Sequence, residues 1–390
     1  MKTTYLFNPE NDMALACASP YYLPPMNVRR MAADLSPLPY WYASVVDPAI
    51  LMHDYEQIVW MNSAFPSQFT SKPSVQGVLA LPASGSCVSP WGWNPALCHR
   101  LKEQANVINL PDGEKMDRLR TLSGRNTAVK LLPSLRLPHT HTVGESASIA
   151  TLQEAMDYVA NHSKVLFKAP WSGSGRGILP VNGACTKPAQ GWIKHILNVQ
   201  GYVVGEPLYA RVIDFAMEFH ASDGKLTFQG YSMFDTDGHG AYKGNLLASN
   251  ASIVQRLTEY VPCQTIDEIR NRLMALLPSY IEGVYEGYFG VDMMICRLPD
   301  ETYAVHPCVE INWRMNMGLV ARFFYDRYVN EQAEGNYFTE FYPEEGTALR
   351  LHEERQQQYP LHFKDGKISE GYLSLTPVFS HTLYQAYVIL

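Results

Sequence analysis

The chain has 390 residues, 31 Lys and Arg against 38 Asp and Glu, a net charge of −7 and a hydrophobic share of 46%. That length exceeds one simple core and implies two or three packed units. The acidic balance argues against a nucleic-acid partner, and no apolar run reaches the roughly 18 residues of a membrane span.

The start, MKTTYLFNPENDMALA, has no apolar signal-peptide core. TTYLF (3–7) and QIVWM (57–61) read as buried strands and ALCHRLKEQ (96–104) as a helix. Residues 1–115 therefore read as an α/β unit. In NPENDMALA (8–16), after the first strand, Asn11 and Asp12 are candidate caps, and loops after strands of open α/β sheets line ligand sites. A polar helix is predicted from 116 on, through MDRLRTLSGRNTAVKLLPSL, followed by an extended segment, RLPHTHTV (136–143). SIATLQEAMDYVANH (148–162) is amphipathic, with Leu152, Ala155, Met156 and Val159 apolar. Strands VLFKAP and ILPV, helix GWIKHILNVQ and strand GYVVGEPLY follow. Two hairpins are signalled by Asp223-Gly224 and Asp300-Glu301, with a helix over 265–285 between them, and a third hairpin by Asp365-Gly366. The apolar end, TLYQAYVIL, packs on the body. Seven scattered cysteines with no C-x-x-C pair exclude a disulfide framework or zinc site. The chain reads as reduced and cytoplasmic.

FKAPWSGSGRGIL (167–179) places Lys168 at the end of an apolar run and Gly173, Gly175 and Gly177 at alternate positions. A Walker loop needs its lysine after the glycines, and a dinucleotide fingerprint needs G-x-G-x-x-G opening a helix. Neither matches. What remains is a glycine-rich flap between two strands, whose backbone N–H groups can approach phosphate oxygens. Ser172, Ser174 and Arg176 add donors, and Lys168 adds a point charge. An ordinary Gly/Ser surface hairpin is the alternative.

In VEINWR (309–314), strand alternation sets Glu310, Asn312 and Arg314 on one face. Glu and Asn oxygens are hard ligands suited to Mg²⁺, and Asp292 in FGVDMMI can supply another. A plain Glu–Arg bridge on a sheet is the alternative. Glu206, ending an apolar strand, can accept from an adenine amine, and Asp214 from a ribose hydroxyl; solvated carboxylates are the alternative.

In this order the pieces resemble the ATP-grasp superfamily from about Arg125 to Arg314, most sharply in KAPWSGSGRG (168–177), GVD (290–292) and EINWR (310–314). The resemblance implies an α/β (α+β) ATP-grasp fold. Its expected parts are an N-terminal domain (1–115), a small subdomain with the flap (116–205), a subdomain with the metal site (206–330) and a β extension (331–390). It maps the first phosphate-binding base to Arg125, with Lys130 as rival, the second to Lys168, and the flap to Ser172, Gly173, Ser174, Gly175, Arg176 and Gly177. The hinge acid maps to Glu206, the ribose acid to Asp214 and the metal ligands to Asp292, Glu310 and Asn312. The E-x-N-x-R pattern is similar to that of biotin carboxylase, which gives Arg314 a catalytic role. D-alanine–D-alanine ligases carry Arg where this chain has Gly290. The small proline-containing loop usual after the Asn is missing too.

The implied activity is ATP- and Mg²⁺-dependent joining of a carboxylate to an amine through an acyl phosphate. Small molecules, an amino acid or peptide among them, are the expected partners, with a homodimer allowed for. A kinase-like phosphotransferase and a non-catalytic nucleotide-binding module are the alternatives. H-R-D and D-F-G, which a protein kinase needs, are absent. His139, His141, His239 and His306 are candidates for substrate contact, with core or surface roles as the alternative.

Overall fold

The structure, a computed structural model, describes residues 3–43, 48–64, 67–69, 76–81, 85–104, 107–137, 141–173, 177–236 and 242–390. The chain separates into two compact units, residues 1–116, 243–252 and 314–390 in the first and 117–242 and 253–313 in the second. The expected segments 1–115 and 331–390 fall in the first unit and 116–205, but for Met116, in the second, while 206–330 is shared. Among the described residues no helix is long and apolar enough to cross a membrane.

The first unit begins with a parallel sheet in the order Gln76–Val78, Ala49–Leu51, Thr3–Leu6, Cys87–Pro90. Leu6 and Val88 pack with Leu97 and Leu101 of helix Pro95–Gln104. Helix Asn11–Cys17 follows the first strand; neither Asn11 nor Asp12 caps it, because Glu10 holds the N-cap position. QIVWM is helical, not a strand. Helix Tyr55–Ala64 starts behind Asp54, whose Oδ1 accepts the Gln57 amide at 2.9 Å, and Val59 is half exposed. D-x-x-Q is the capping pattern that outweighs the β-branched run.

The C-terminal part of this unit is antiparallel: strand Gly335–Phe341 lies between Tyr242–Leu247 and Tyr384–Ile389, and Tyr372–Ser374 pairs with the latter. The predicted hairpin around Asp365-Gly366 joins His362–Lys364 to Lys367–Glu370. Long-range bonds tie the two chain ends together. Asp34 Oδ2 accepts the amides of Leu383 at 2.9 Å and Tyr384 at 3.0 Å, and the Trp41 indole donates to the Leu375 carbonyl at 2.6 Å.

The second unit holds two sheets. The smaller, in the order Ala147–Ile149, Val203–Pro207, Lys164–Lys168, Ile178–Asn182, is antiparallel. Helices Leu152–Asn161 and Lys187–Gln200 cover it through Ala155, Val159, Ile193 and Ile196. Met156, read as apolar-face, is 38% exposed. The larger sheet runs Tyr303–Asn312, Gly287–Arg297, Ala210–Ser222, Lys225–Thr236. Its tight turn has Asp223 at φ 51° and Gly224 at φ 70°, the two left-handed residues of a type I′ turn.

Alternation splits this sheet into two faces. Phe215, Phe219, Phe289, Val291 and Met293 are buried on one, where Trp313 stacks on Phe289 at 4.4 Å. The other carries Asp214, Glu218, Asp292, His306, Glu310 and Asn312, with Asp292 opposite Glu310 and Gly290 opposite Asn312. The single helix expected after 116 is two, Gly113–Ser123 and Asn126–Leu135. The break is at Gly124, where a Cβ would lie 2.7 Å from the Tyr202 hydroxyl. The predicted 265–285 helix divides at Pro278 into Cys263–Leu276 and Pro278–Ile281.

Candidate active site

Lys168 is the last residue of its strand and only 3% exposed. The chain returns antiparallel as Ile178–Asn182, with Lys168 opposite Ile178, so two strands flank the expected flap. Ala169 N–H donates to the Gly177 carbonyl at 2.8 Å. Gly177 has φ +68°, and a Cβ there would meet Ser172 at 2.8 Å, so the base of this loop requires glycine. Ser172 and Gly173 are described; Ser174, Gly175 and Arg176 lie outside the described residues.

Four charged side chains meet beside the flap in two pairs. Lys168 Nζ is 2.6 Å from Glu206 Oε2, both side chains nearly sealed from solvent. Arg125, between the two helices at the Gly124 break, sends Nη1 to Glu310 Oε2 at 2.8 Å. Its Nε donates to the Ala169 carbonyl at 2.9 Å and its Nη2 to the Ser172 carbonyl at 3.1 Å. One guanidinium thus joins the flap base to the Glu310 strand. Lys130, the rival, is exposed on the following helix.

Beside Glu310, Asn312 Nδ2 donates to Asp292 Oδ2 at 2.9 Å, leaving the Asn312 amide oxygen for another partner. Two carboxylates and one amide oxygen on adjacent strand positions form a hard-oxygen set, which fits Mg²⁺, an ion that takes few protein ligands and fills its shell with water and phosphate oxygens. Among the described residues no three His, Cys, Asp or Glu cluster as a metal site, so the amide is needed to complete the set.

Asp214 accepts from Arg211 at 2.9 Å and from Thr236 at 3.2 Å; burial raises its carboxyl above the usual range and Arg211 opposes the rise. Further along the Glu310 strand, His306 is fully buried and neither ring nitrogen has a hydrogen-bond partner. Burial, then the nearby Lys168 charge, hold its pKa down to about 3, so the ring is neutral. Cys308 between them is buried and its thiol is pushed well up by burial. His141 is near the Tyr303 carbonyl, 3.3 Å away; His139 and His239 lie outside the described residues.

Arg314 is placed differently from the sequence expectation. The strand ends at Asn312, so alternation does not carry Arg314 onto its face. Its Nε and Nη2 donate to the two oxygens of Asp12 at 2.9 and 2.7 Å, and Nη1 donates to the Met315 carbonyl at 3.0 Å. This fork-to-carboxylate geometry fixes the guanidinium plane. Asp12, read only as a cap, is the residue the sequence reasoning missed. Its one signal was its place in the loop after the first parallel strand.

No family model matches this sequence, and no curated protein matches it. Solved structures do. An N5-carboxyaminoimidazole ribonucleotide synthetase in complex with ADP aligns over 100% of this chain and 92% of its own, with 11% identity and a TM-score of 0.50. A biotin carboxylase from Campylobacter jejuni, in complex with a β,γ-ATP ligand, aligns over 99% of this chain and 86% of its own, with 10% identity and a TM-score of 0.50. Both are ATP-grasp folds that align with this chain over nearly its whole length: the chain has the ATP-grasp fold.

Proposed function

We propose that this protein is an ATP- and Mg²⁺-dependent ligase joining a carboxylate to an amine through an acyl phosphate. One observation carries the reading: Arg125 holds both the base of the flap and Glu310, beside Asp292 and Asn312. A purely structural ion pair has no need of hard-oxygen donors next to it. Two neighbours of this fold are known in complex with ADP and with a β,γ-ATP ligand, which supports a nucleotide as the occupant.

ATP would enter with its phosphates under the flap, residues 172–177. Arg125 and Lys168 would exchange protein carboxylates for phosphate oxygens. That frees Glu206 to accept from the base amine, and Asp214 would accept from the ribose. Mg²⁺, held by Asp292, Glu310 and Asn312, would neutralise phosphate charge. The substrate carboxylate attacks the γ-phosphorus and the bond to the β-phosphate oxygen breaks, releasing ADP. The amine then attacks the acyl carbon, phosphate leaves, and the amine proton passes to solvent. Arg314, with its fork aligned by Asp12, is proposed to hold the reacting carboxylate oxygens. Closure of the flap over the intermediate keeps water from it.

Phosphate release from the full chain with ATP, Mg²⁺ and a panel of carboxylate–amine pairs, starting with amino acids and dipeptides, tests this. ADP and phosphate should appear in equal amounts only when both substrates are present. Glu310→Gln should lower turnover on the order of 10²–10³. A persistent phosphorylated product would make the enzyme a phosphotransferase instead. Nucleotide binding without turnover on any pair would favour a binding module.

A further inference from the structure

We propose that the C-terminal part of the first unit carries a second small-molecule site, shaped for an uncharged planar ring bearing a hydrogen-bond acceptor, such as a nucleobase or an aromatic amide. The site is a cavity of about 490 Å³, within the range that holds small ligands. Three elements wall it. Helix Thr347–Gln358 presents His352 and Gln356, one turn apart, and Tyr359 just beyond its end. Helix Tyr55–Ala64 presents Trp60, and the short edge strand presents Tyr372 through Ser374.

The orientation of one polar group can be worked out. Gln385 Nε2 donates to the Tyr372 oxygen at 2.6 Å and to Ser374 Oγ at 2.9 Å. With its oxygen already accepting, Tyr372 directs its own hydrogen to His352 Nδ1, 2.8 Å away. Nδ1 is then the acceptor, and the proton of the neutral imidazole resides on Nε2. Burial, then the Arg355 charge, hold the His352 pKa down to about 4, so the ring stays neutral. His352 is 9% exposed, and no acceptor among the described residues takes the Nε2–H. A chain of three side chains thus fixes a single donor on a residue that lines the cavity, where a ligand acceptor could replace solvent.

The walls define the rest of the ligand. Three of the lining residues, Trp60, Tyr359 and Tyr372, are aromatic, and aromatic walls favour a flat partner. Among the described residues no Lys, Arg, Asp or Glu lines the cavity. Arg355, on the same helix as His352, is already engaged by Glu340 at 2.9 Å and by the Tyr342 hydroxyl at 2.8 Å. A charged ligand would therefore find no counter-charge. None of these residues belongs to the flap or to the Glu310 strand, so the proposal stands apart from the ligase reading.

The test titrates the full chain with benzamide, which has a flat ring and a carbonyl acceptor, and with cyclohexanecarboxamide, which keeps the acceptor and loses the flat ring. Binding is followed by Trp fluorescence and by the imidazole ¹⁵N resonances of His352. Benzamide should saturate, shift the His352 Nε2 resonance, and bind at least about tenfold tighter than the cyclohexyl amide, one tenfold step being about 1.4 kcal/mol. His352→Phe, which keeps a ring and removes the donor, should cost at least about as much. Should His352→Phe fail to fold, by thermal unfolding, Trp60→Leu takes its place with the same expected loss. Benzamide that does not saturate, equal binding of both amides, or an affinity untouched by the substitution would each overturn the proposal.

Discussion

Around Lys168 the buried polar groups are charged and paired one to one, Lys168 with Glu206 and Arg125 with Glu310. Around Tyr372 they are neutral and linked in series, Gln385 to Tyr372 to His352, with the ion pair Arg355–Glu340 at a partly exposed edge. Depth is similar, since Lys168, Glu206, Tyr372 and Gln385 are all 5% exposed or less. The cost is not. Each buried ion carries a desolvation penalty of several kcal/mol, so a buried pair is weak evidence for stability. A neutral network with its hydrogen bonds satisfied carries a far smaller one and fixes geometry. The difference teaches where to look for ligands. On the proposed function the charged region keeps groups whose present partners would give way to phosphate, while the neutral network fixes the orientation of one donor.

The sharpest way to break this comparison is to remove one charge and then both. Lys168→Met should destabilise the protein by about 3–5 kcal/mol in urea unfolding, because Glu206 is left buried and uncompensated. Lys168→Met with Glu206→Leu should recover to within about 1 kcal/mol of the parent or exceed it, without turnover. If the double variant stays as unstable as the single, the pair serves the fold, and the contrast drawn above is wrong.

Next in size is Arg314→Lys. Lysine keeps the charge and loses the planar fork that grips Asp12. Turnover at saturation should fall on the order of 10²-fold while the ATP dissociation constant holds. The reverse pattern, weak ATP and normal turnover, would move Arg314 to the nucleotide side.

The smallest effect is the dependence on pH. His306 has a folded pKa near 3 against about 6.5 in an unfolded chain. The unfolded state therefore binds more protons as the pH drops, and stability is lost on acidification below about 6.5. The share from His306 should reach about 2 kcal/mol by pH 5. His352 acts in the same direction from the neutral region, by less because solvent reaches it more easily. Urea midpoints from pH 7 to 5 should fall for the parent and flatten for His306→Leu. A parallel slope in that variant would place the acid sensitivity elsewhere.

Much of the second unit was legible because its signals are local. Asp223-Gly224 set one turn, Lys168 and Gly177 bracketed the flap, and alternation put Glu310 and Asn312 on one strand face. The errors were also local. The β-branched run of QIVWM hid a capping pattern that begins three residues upstream, at Asp54, and ends on its own Gln57. The extrapolation to Arg314 assumed the strand continued past Trp313, whose stacking on Phe289 marks its last turn inward. What no window of sequence could supply is the pairing of distant groups. Asp12 with Arg314, Arg125 with Glu310 and Lys168 with Glu206 depend on how the sheets bring the chain back on itself. His352 as a fixed donor depends on Gln385 thirty-three residues on.

The ties between chain ends have a consequence for how the protein is made. Asp34 caps the amides of Leu383 and Tyr384, and Trp41 is anchored by Leu375, so these two residues lack their partners until the last part of the chain has emerged from the ribosome. The second unit, whose residues all lie between 117 and 313, has its own contacts complete well before that. Vectorial synthesis then leaves those parts of residues 1–116 waiting for their C-terminal partners, a stretch open to chaperones, while the second unit closes first. Ribosome-arrested chains ending near residue 370 should yield a protease-resistant core from 117–313 and rapid cleavage before 116. Equal protection of both stretches in such chains would show that the first unit closes without its C-terminal strands.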